Sequence, residues 1–156
     1  RVMAVEPYGL AADYLRRNIT DNRLGSTIDQ KNFALGAREG NVGLRPGPSR
    51  NIGHTKTVKG DQVQLRRLDD VVDDEVSMIK IDVEGYELEV LKGAVETLRR
   101  HSPYLFVEAS NRLRRRRLDN FLAPFGYGRI GVFGGQPTYF YYPITKRIVS
   151  KAVKLF

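Results

Sequence analysis

The most constraining feature of this sequence is a change of hydrophobic period within one segment, residues 76–94. Its first half, residues 76–83, is a short and nearly continuous apolar run, which is typical of a strand covered on both faces. From Tyr86 onward the apolar residues recur at helical spacing, on Leu88, Leu91, Val95 and Leu98. The segment therefore predicts a buried strand that turns directly into a helix. In open α/β sheets the carboxyl end of such a strand is where ligands bind.

Composition excludes several classes of protein. The 156 residues are 41% hydrophobic, which is enough for one domain with a core. The absence of cysteine excludes disulfides and thiol catalysis, and His54 and His101 alone give no zinc spacing, so no metal site is expected. No apolar run approaches the roughly 20 residues that cross a bilayer, and no secretory signal is present, so we expect a cytoplasmic protein. The net charge of +8 favours anionic partners.

The remaining segments alternate between strand and helix patterns. Strands are predicted at residues 2–5, 27–35, 41–44 and 103–109, extended or mixed structure at residues 63–72, and helices at residues 9–22 and 111–126. Residues 45–60 have loop composition, and Asp69 and Asp70 are expected near the surface. Residues 127–133 and 138–142 predict a closing antiparallel hairpin. This order predicts an α/β, Rossmann-like, doubly wound and mostly parallel sheet that ends in an antiparallel hairpin.

One segment resembles a family signature. MIKIDVEGYELEVLKGA is similar to the signature of the FkbM-type family of S-adenosylmethionine-dependent methyltransferases, and VMAVEP, LDDVV and PYLFVEAS resemble its flanking segments in the same order. The resemblance covers roughly residues 2–110. It implies a class I methyltransferase fold and S-adenosyl-L-methionine as cofactor. The implied reaction is methyl transfer, in most such proteins to a hydroxyl of a small molecule or sugar.

The sequence departs from the family pattern at its start. Proteins of this kind open with a strand and a glycine-rich turn, roughly DxGANxG, that holds the methionine moiety of the cofactor, and no such turn precedes Val2. By resemblance, that strand would lie in the centre of the sheet, between the strands that end at Glu6 and Asp82. We therefore expect residues 1–156 to be an N-terminally incomplete fragment of one longer methyltransferase-like domain, or a domain whose sheet is completed in another way.

Three acidic residues are the main candidates for the site. By resemblance, Glu6 accepts hydrogen bonds from both ribose hydroxyls, a task that suits the two oxygens of a carboxylate; the alternative is a surface acid before Pro7. Asp82 aligns with the acid that orients the acceptor or the amino group of the cofactor, and it could also cap the following helix. Glu84 is a candidate general base for a hydroxyl, or else a charge that favours the helix N-terminus.

Five further residues complete the predicted site. The resemblance places the adenine ring near residues 32–35, which makes Asn32 and Ala34 cofactor contacts. His54 is a candidate base and Asn51 a candidate substrate contact, although a lone loop histidine is more often only solvated. Glu108 could join the cleft as a substrate contact, or could pair with the arginine-rich helix that follows. The predicted reaction is an in-line displacement in which a carboxylate or His54 assists proton removal.

A basic segment supports a rival hypothesis. The arginines of residues 112–117 could neutralise phosphates, which would suit a non-catalytic domain that binds nucleic acid or another anionic partner. The run has no interleaved aromatic residues, however, so a solvated charged face is the simpler interpretation and nucleic acid is not expected. The amphipathic tail, residues 146–156, is expected to pack on the domain, with weak contact to an anionic membrane surface as the alternative. The expected partner is a small-molecule or carbohydrate acceptor.

Overall fold

Strands and helices alternate along the chain, as the hydrophobic pattern predicts. The computed structural model describes residues 1–47, 54–133 and 137–145. Its strands are β1 (Val2–Val5), β2 (Ile28–Lys31), β3 (Ala34–Leu35), β4 (Gly40–Arg45), β5 (Lys56–Arg66), β6 (Met78–Ile81), β7 (Tyr104–Glu108), β8 (Tyr127–Phe133) and β9 (Thr138–Pro143). Its helices are α1 (Gly9–Asp21), α2 (Glu87–Lys92), α3 (Val95–His101) and α4 (Arg112–Leu122). No helix among these residues is long and apolar enough to span a membrane.

The strands of the described residues form three separate hydrogen-bonded sheets. β1 pairs with β2 in parallel. β5 pairs in parallel with β3 and antiparallel with β4. The third sheet has the order β6-β7-β9-β8, in which only β6 and β7 are parallel. The α/β class and the closing hairpin are confirmed, but the prediction of one doubly wound, mostly parallel sheet is not: no described strand pairs with both β1 and β6, and two of the three sheets are mixed.

The main core lies between the four-stranded sheet and the helices that follow β6 and β7. Alternate residues of β7, Leu105 and Val107, are fully buried on the helix side of the sheet. The helices bury apolar residues at helical spacing: Val90, Leu91, Leu98, Leu118 and Leu122. Because both β6 and β7 lead into helices that cover this face, their carboxyl ends are held at one edge of a rigid layer.

The helix predicted after Tyr86 is interrupted. α2 ends at Lys92 and α3 begins at Val95, with Gly93 and Ala94 between them. A Cβ at Gly93 would overlap the carbonyl oxygen of Gly36, and the carbonyl of Gly93 accepts a hydrogen bond of 2.9 Å from the backbone of Asp69. The break therefore arises from tertiary contacts of the glycine backbone, which helical periodicity does not encode.

Two further boundaries differ from the prediction. The strand expected over residues 27–35 is divided into β2 and β3, and β5 begins at Lys56, inside the segment predicted to be a loop. β5 pairs with β4 over the range from Arg45 opposite Lys56 to Gly40 opposite Leu65, with a bulge at Gly43. A Cβ at Gly60 would lie 2.7 Å from the Cα of Gly43. Gly60, which suggests a loop in the sequence, is thus required where two strand backbones approach closely.

Candidate active site

A tight turn joins β6 to α2. The backbone N–H of Tyr86 donates to the carbonyl of Val83 at 3.2 Å, and the two residues between them have positive φ angles, 45° at Glu84 and 99° at Gly85. Positive φ at both central positions is the geometry of a type I′ turn, which glycine adopts freely and glutamate does not. The fold therefore holds Glu84 in a strained conformation directly after the strand, a situation that is common at functional sites.

Asp82 and Glu108 lie beside each other at one edge of the sheet. β6 and β7 are parallel and place Ile81 opposite Val107, so the next residue along each strand is an acid. Burial raises the pKa of Glu108. The charge of Asp82 and a hydrogen bond between Asp82 and Glu108 raise this pKa further, as do the charges of Glu84 and Glu87. Lys80 Nζ lies 3.1 Å from Asp82 Oδ2. The predicted placement of Glu108 beside Asp82 is observed; we name Asp82, Glu84, Glu87 and Glu108 the acidic rim.

Two of the alternatives for these acids are wrong. Asp82 does not cap α2, since the residue at the N-cap position is Tyr86 and no side chain caps this helix end. Glu108 forms no ion pair with an arginine of α4 within the described residues; the groups that act on its pKa are carboxylates.

Glu87 is a member of the rim that the sequence does not reveal. Its side chain is only 4% exposed, and its Oε1 accepts a hydrogen bond of 2.6 Å from the N–H of Gly85. In the sequence it resembles any acid in the first turn of a helix. The nearness of Glu87 to Gly85 in the sequence is the one signal of this role. The side chain of Glu87 closes the turn only when Glu84 and Gly85 have positive φ angles, which the sequence does not show. Glu87 therefore fixes the turn that carries Glu84.

Glu6 and Asn32 lie at the ends of the other parallel pair. β1 and β2 place Val5 opposite Lys31, and Asn32 Nδ2 donates to the backbone carbonyl of Glu6 at 2.8 Å. Glu6 Oε1 accepts a hydrogen bond of 2.8 Å from the N–H of Tyr8. Burial raises the pKa of Glu6, and the bond from Tyr8 partly offsets this effect. Ala34 is buried in β3, two residues after Asn32.

The remaining candidates are not tied to either group. Within the described parts of the chain, no hydrogen bond or ion pair joins Glu6 and Asn32 to the acidic rim, although Met3 of β1 packs against the main core. His54 is exposed, with its Cβ against Gly47, and it has no described contact with an acid of either group. Asn51 and the tail, residues 146–156, lie outside the described residues. The roles of His54 and Asn51 stay predictions.

The arginines of α4 do not form one uniform basic face. Arg115 Nε lies 3.7 Å from Asp119 Oδ2, and the guanidinium of Arg114 is folded onto Gly85. Arg112, Arg116 and Arg117 are exposed. This division does not favour the nucleic-acid hypothesis, which requires the charges to act together. Among the described residues, no group of three or more His, Asp or Glu side chains is arranged to hold a metal ion.

The fold and these groups define an α/β protein with acids at the carboxyl ends of parallel strands, where such proteins bind ligands. A family model, the methyltransferase FkbM domain, matches residues 1–127, and the chain belongs to this family. The structure is similar to the crystal structure of methyltransferase FkbM from Methylobacillus flagellatus KT, with a TM-score of 0.65 and 26% identity. The match covers 91% of this chain and 36% of that protein, so the chain spans about a third of its length. No curated protein matches the chain.

Proposed function

We propose that this chain supports S-adenosylmethionine-dependent transfer of a methyl group to a hydroxyl of a small molecule or carbohydrate. The observation that carries the proposal is that two pairs of polar side chains lie at the ends of parallel strands in a member of the FkbM family. The pairs are Glu6 with Asn32, and Asp82 with Glu108. The first pair is suited to a nucleoside and the second to a reacting hydroxyl.

The first pair has the acceptors that the nucleoside end of the cofactor needs. Tyr8 engages Oε1 of Glu6 and leaves Oε2 without a described partner, so the carboxylate can accept hydrogen bonds from ribose hydroxyls. Asn32 uses its amide nitrogen to hold Glu6 and keeps its amide oxygen for an amino group of the adenine ring. Ala34 would provide apolar and backbone contact to the ring.

The acidic rim supplies the proton chemistry. When bound, S-adenosylmethionine supplies an electrophilic methyl group on a cationic sulfur. Glu84, or the pair of Asp82 and Glu108, would take the proton of the acceptor hydroxyl. The hydroxyl oxygen would at the same time form a bond to the methyl carbon, in line with the carbon–sulfur bond that breaks. The raised pKa of Glu108 means that this carboxyl holds a proton at a higher pH than an ordinary glutamate, which suits a group that exchanges a proton with the acceptor. Holding the two reactants in line would provide most of the rate.

Calorimetric titration of the full-length protein with S-adenosylhomocysteine tests the proposal. We expect binding that Glu6→Gln weakens by about ten- to a hundredfold, because loss of one charge-assisted hydrogen bond costs ~1.5–3 kcal/mol. Asp13→Asn is the matched control, since Asp13 is an exposed acid whose described ion pair is with Arg16 on α1. An absence of binding, or equal weakening by both substitutions, would contradict the proposed function.

A further inference from the structure

The side chain of Arg114 is folded onto the turn between β6 and α2. A Cβ at Gly85 would lie 2.6 Å from both terminal nitrogens of Arg114 and 2.7 Å from its Cζ. Only a glycine leaves room for the guanidinium at this position. Gly85 thus serves two purposes: it permits the φ angle of 99°, and it allows a cation to rest against the backbone beside Glu84.

The described contacts that hold Arg114 in place include no acidic side chain. Its backbone N–H donates to Asn111 Oδ1 at 2.9 Å, and its Nη1 donates to Ser110 Oγ at 3.2 Å. Among the described ion pairs none includes Arg114, although its neighbour Arg115 pairs with Asp119. A guanidinium has several N–H donors in a fork that fits carboxylate and phosphate oxygens. Most of these donors therefore remain available at a fixed position.

A cavity of about 200 Å³ opens next to this guanidinium, between α2 and α4. Arg114 and Arg117 line it together with Gly85, Glu87 and Glu89. The charge of Glu89 is already matched by Lys92, whose Nζ lies 2.6 Å away, and one oxygen of Glu87 is engaged by Gly85. Counting Lys92, three cations face the two carboxylates of Glu87 and Glu89, and both guanidinium groups keep N–H donors that no described hydrogen bond uses.

We propose that Arg114, assisted by Arg117, is a specificity-determining anchor for an anionic group of the acceptor. The inference rests on the proposed function, and it deepens it by naming the acceptor class: a small hydroxylated compound that carries a carboxylate or a phosphate ester. Glu87 lines the cavity and belongs to the acidic rim, and Gly85 directly follows Glu84, so the cavity adjoins the turn that carries the candidate base. The anchor thereby directs the hydroxyl, and not the anion, to the acidic rim.

Binding of inorganic phosphate and of acetate to the full-length protein, measured by calorimetry at low ionic strength, tests this anchor. We expect one of the two anions to bind, and its identity to assign the acceptor class. Arg114→Gln and Arg117→Gln should each weaken binding by about tenfold, the effect of losing a charge-assisted contact. Arg116→Gln is the control, because Arg116 lies on the same helix, is exposed and does not line the cavity. Arg114→Lys should retain only part of the affinity.

Three outcomes would overturn the anchor. The first is that neither anion binds. The second is that Arg114→Gln and Arg116→Gln weaken anion binding equally. The third is that Arg114→Gln lowers stability but leaves anion affinity unchanged, which would make the contact with Gly85 purely structural. Should Arg114→Gln fail to fold, Arg117→Gln compared with Arg116→Gln decides the question. Binding of S-adenosylhomocysteine is measured on the same variants: if it persists while anion binding is independent of Arg114, the anchor fails and the proposed function stands. If the anchor holds without nucleoside binding, the proposed function fails.

Discussion

The carboxylate of Asp69 accepts two hydrogen bonds from Thr97, one of 2.9 Å from the backbone N–H and one of 2.8 Å from the hydroxyl. A third, of 3.1 Å, comes from the N–H of Glu96, and Arg67 lies 2.9 Å away. The residue at the N-cap of α3 is Ala94, which has no acceptor in its side chain. Asp69 therefore caps α3 from a distant part of the chain, and its side chain is only 4% exposed, not at the surface as its sequence context suggests.

Replacing Asp69 by alanine should lower the free energy of unfolding by about 2–4 kcal/mol, because three partly buried donors lose their acceptor. Urea denaturation measures the change. Asp70→Ala provides the control, since Asp70 is exposed and has only a 3.6 Å ion pair with Arg67, for which we expect less than about 1 kcal/mol. Similar losses for the two variants would contradict the capping role.

Asp69 should also make stability depend on pH in the acid range. Burial opposes ionisation of its carboxyl, but the hydrogen bonds from Thr97 and Glu96 and from Arg67 outweigh burial and lower its pKa below the ordinary 3.8. Its contribution to stability is therefore present above 3.8 and is lost as the pH falls through the lower, folded-state value. Asp69→Asn, which retains one acceptor oxygen, should flatten this part of the stability profile. If the unfolding temperature of Asp69→Asn falls at acid pH as steeply as that of the wild type, Asp69 is not the source of this pH dependence.

Glu108 should act in the opposite direction. Its folded-state pKa lies above the ordinary 4.5, so the native protein holds the proton more tightly and loses stability as the pH rises from 4.5 through the raised value. We therefore expect Glu108→Gln to be more stable than the wild type at neutral pH, with a difference that shrinks toward acid pH. Thermal unfolding over a pH series measures this, with Glu75→Gln at an exposed position as control. Destabilisation by Glu108→Gln at neutral pH would show that the ionised carboxylate is favoured by the fold.

Gly93→Ala should destabilise the protein by about 2–3 kcal/mol or more, because the added methyl group would overlap the Gly36 carbonyl and backbone must move. Chemical denaturation of this variant is compared with that of Gly25→Ala, where an added Cβ meets nothing within 4 Å. Equal stability of the two variants would mean that the junction of α2 and α3 adjusts without cost.

The sequence predicts the elements that position the site better than it predicts the sheet that carries them. Hydrophobic period and resemblance place Asp82 and Glu108 at parallel strand ends, and parallel register then brings them together. Glu6 and Asn32 meet for the same reason. The separation into three sheets depends on which strands share a ladder, and strand patterns alone do not encode partners.

Individual side-chain roles were harder to predict. Arg114 is one of five arginines in a short run, and its contacts with Gly85 and Ser110 distinguish it from Arg116. Glu87 closes the turn through a hydrogen bond that requires the positive φ angles of Glu84 and Gly85, a conformation that depends on the surrounding fold. The contact of Arg114 joins residues far apart in the sequence, and that of Glu87 depends on an uncommon backbone conformation, so neither role follows from helix propensity.

The division of the strands has a consequence for how the molecule opens. Glu6 and Asn32 directly follow the paired strands β1 and β2, whereas Asp82 follows β6 and Glu108 ends β7 in another sheet. A described link from β1 to the main core is the packing of Met3. Amide protons of β1 and β2 should therefore exchange with deuterium through smaller fluctuations than those of β7, whose alternate side chains are fully buried. A nucleoside that contacted both the β1–β2 pair and the four-stranded sheet would link them. Its binding should therefore slow amide exchange in β1 and β2.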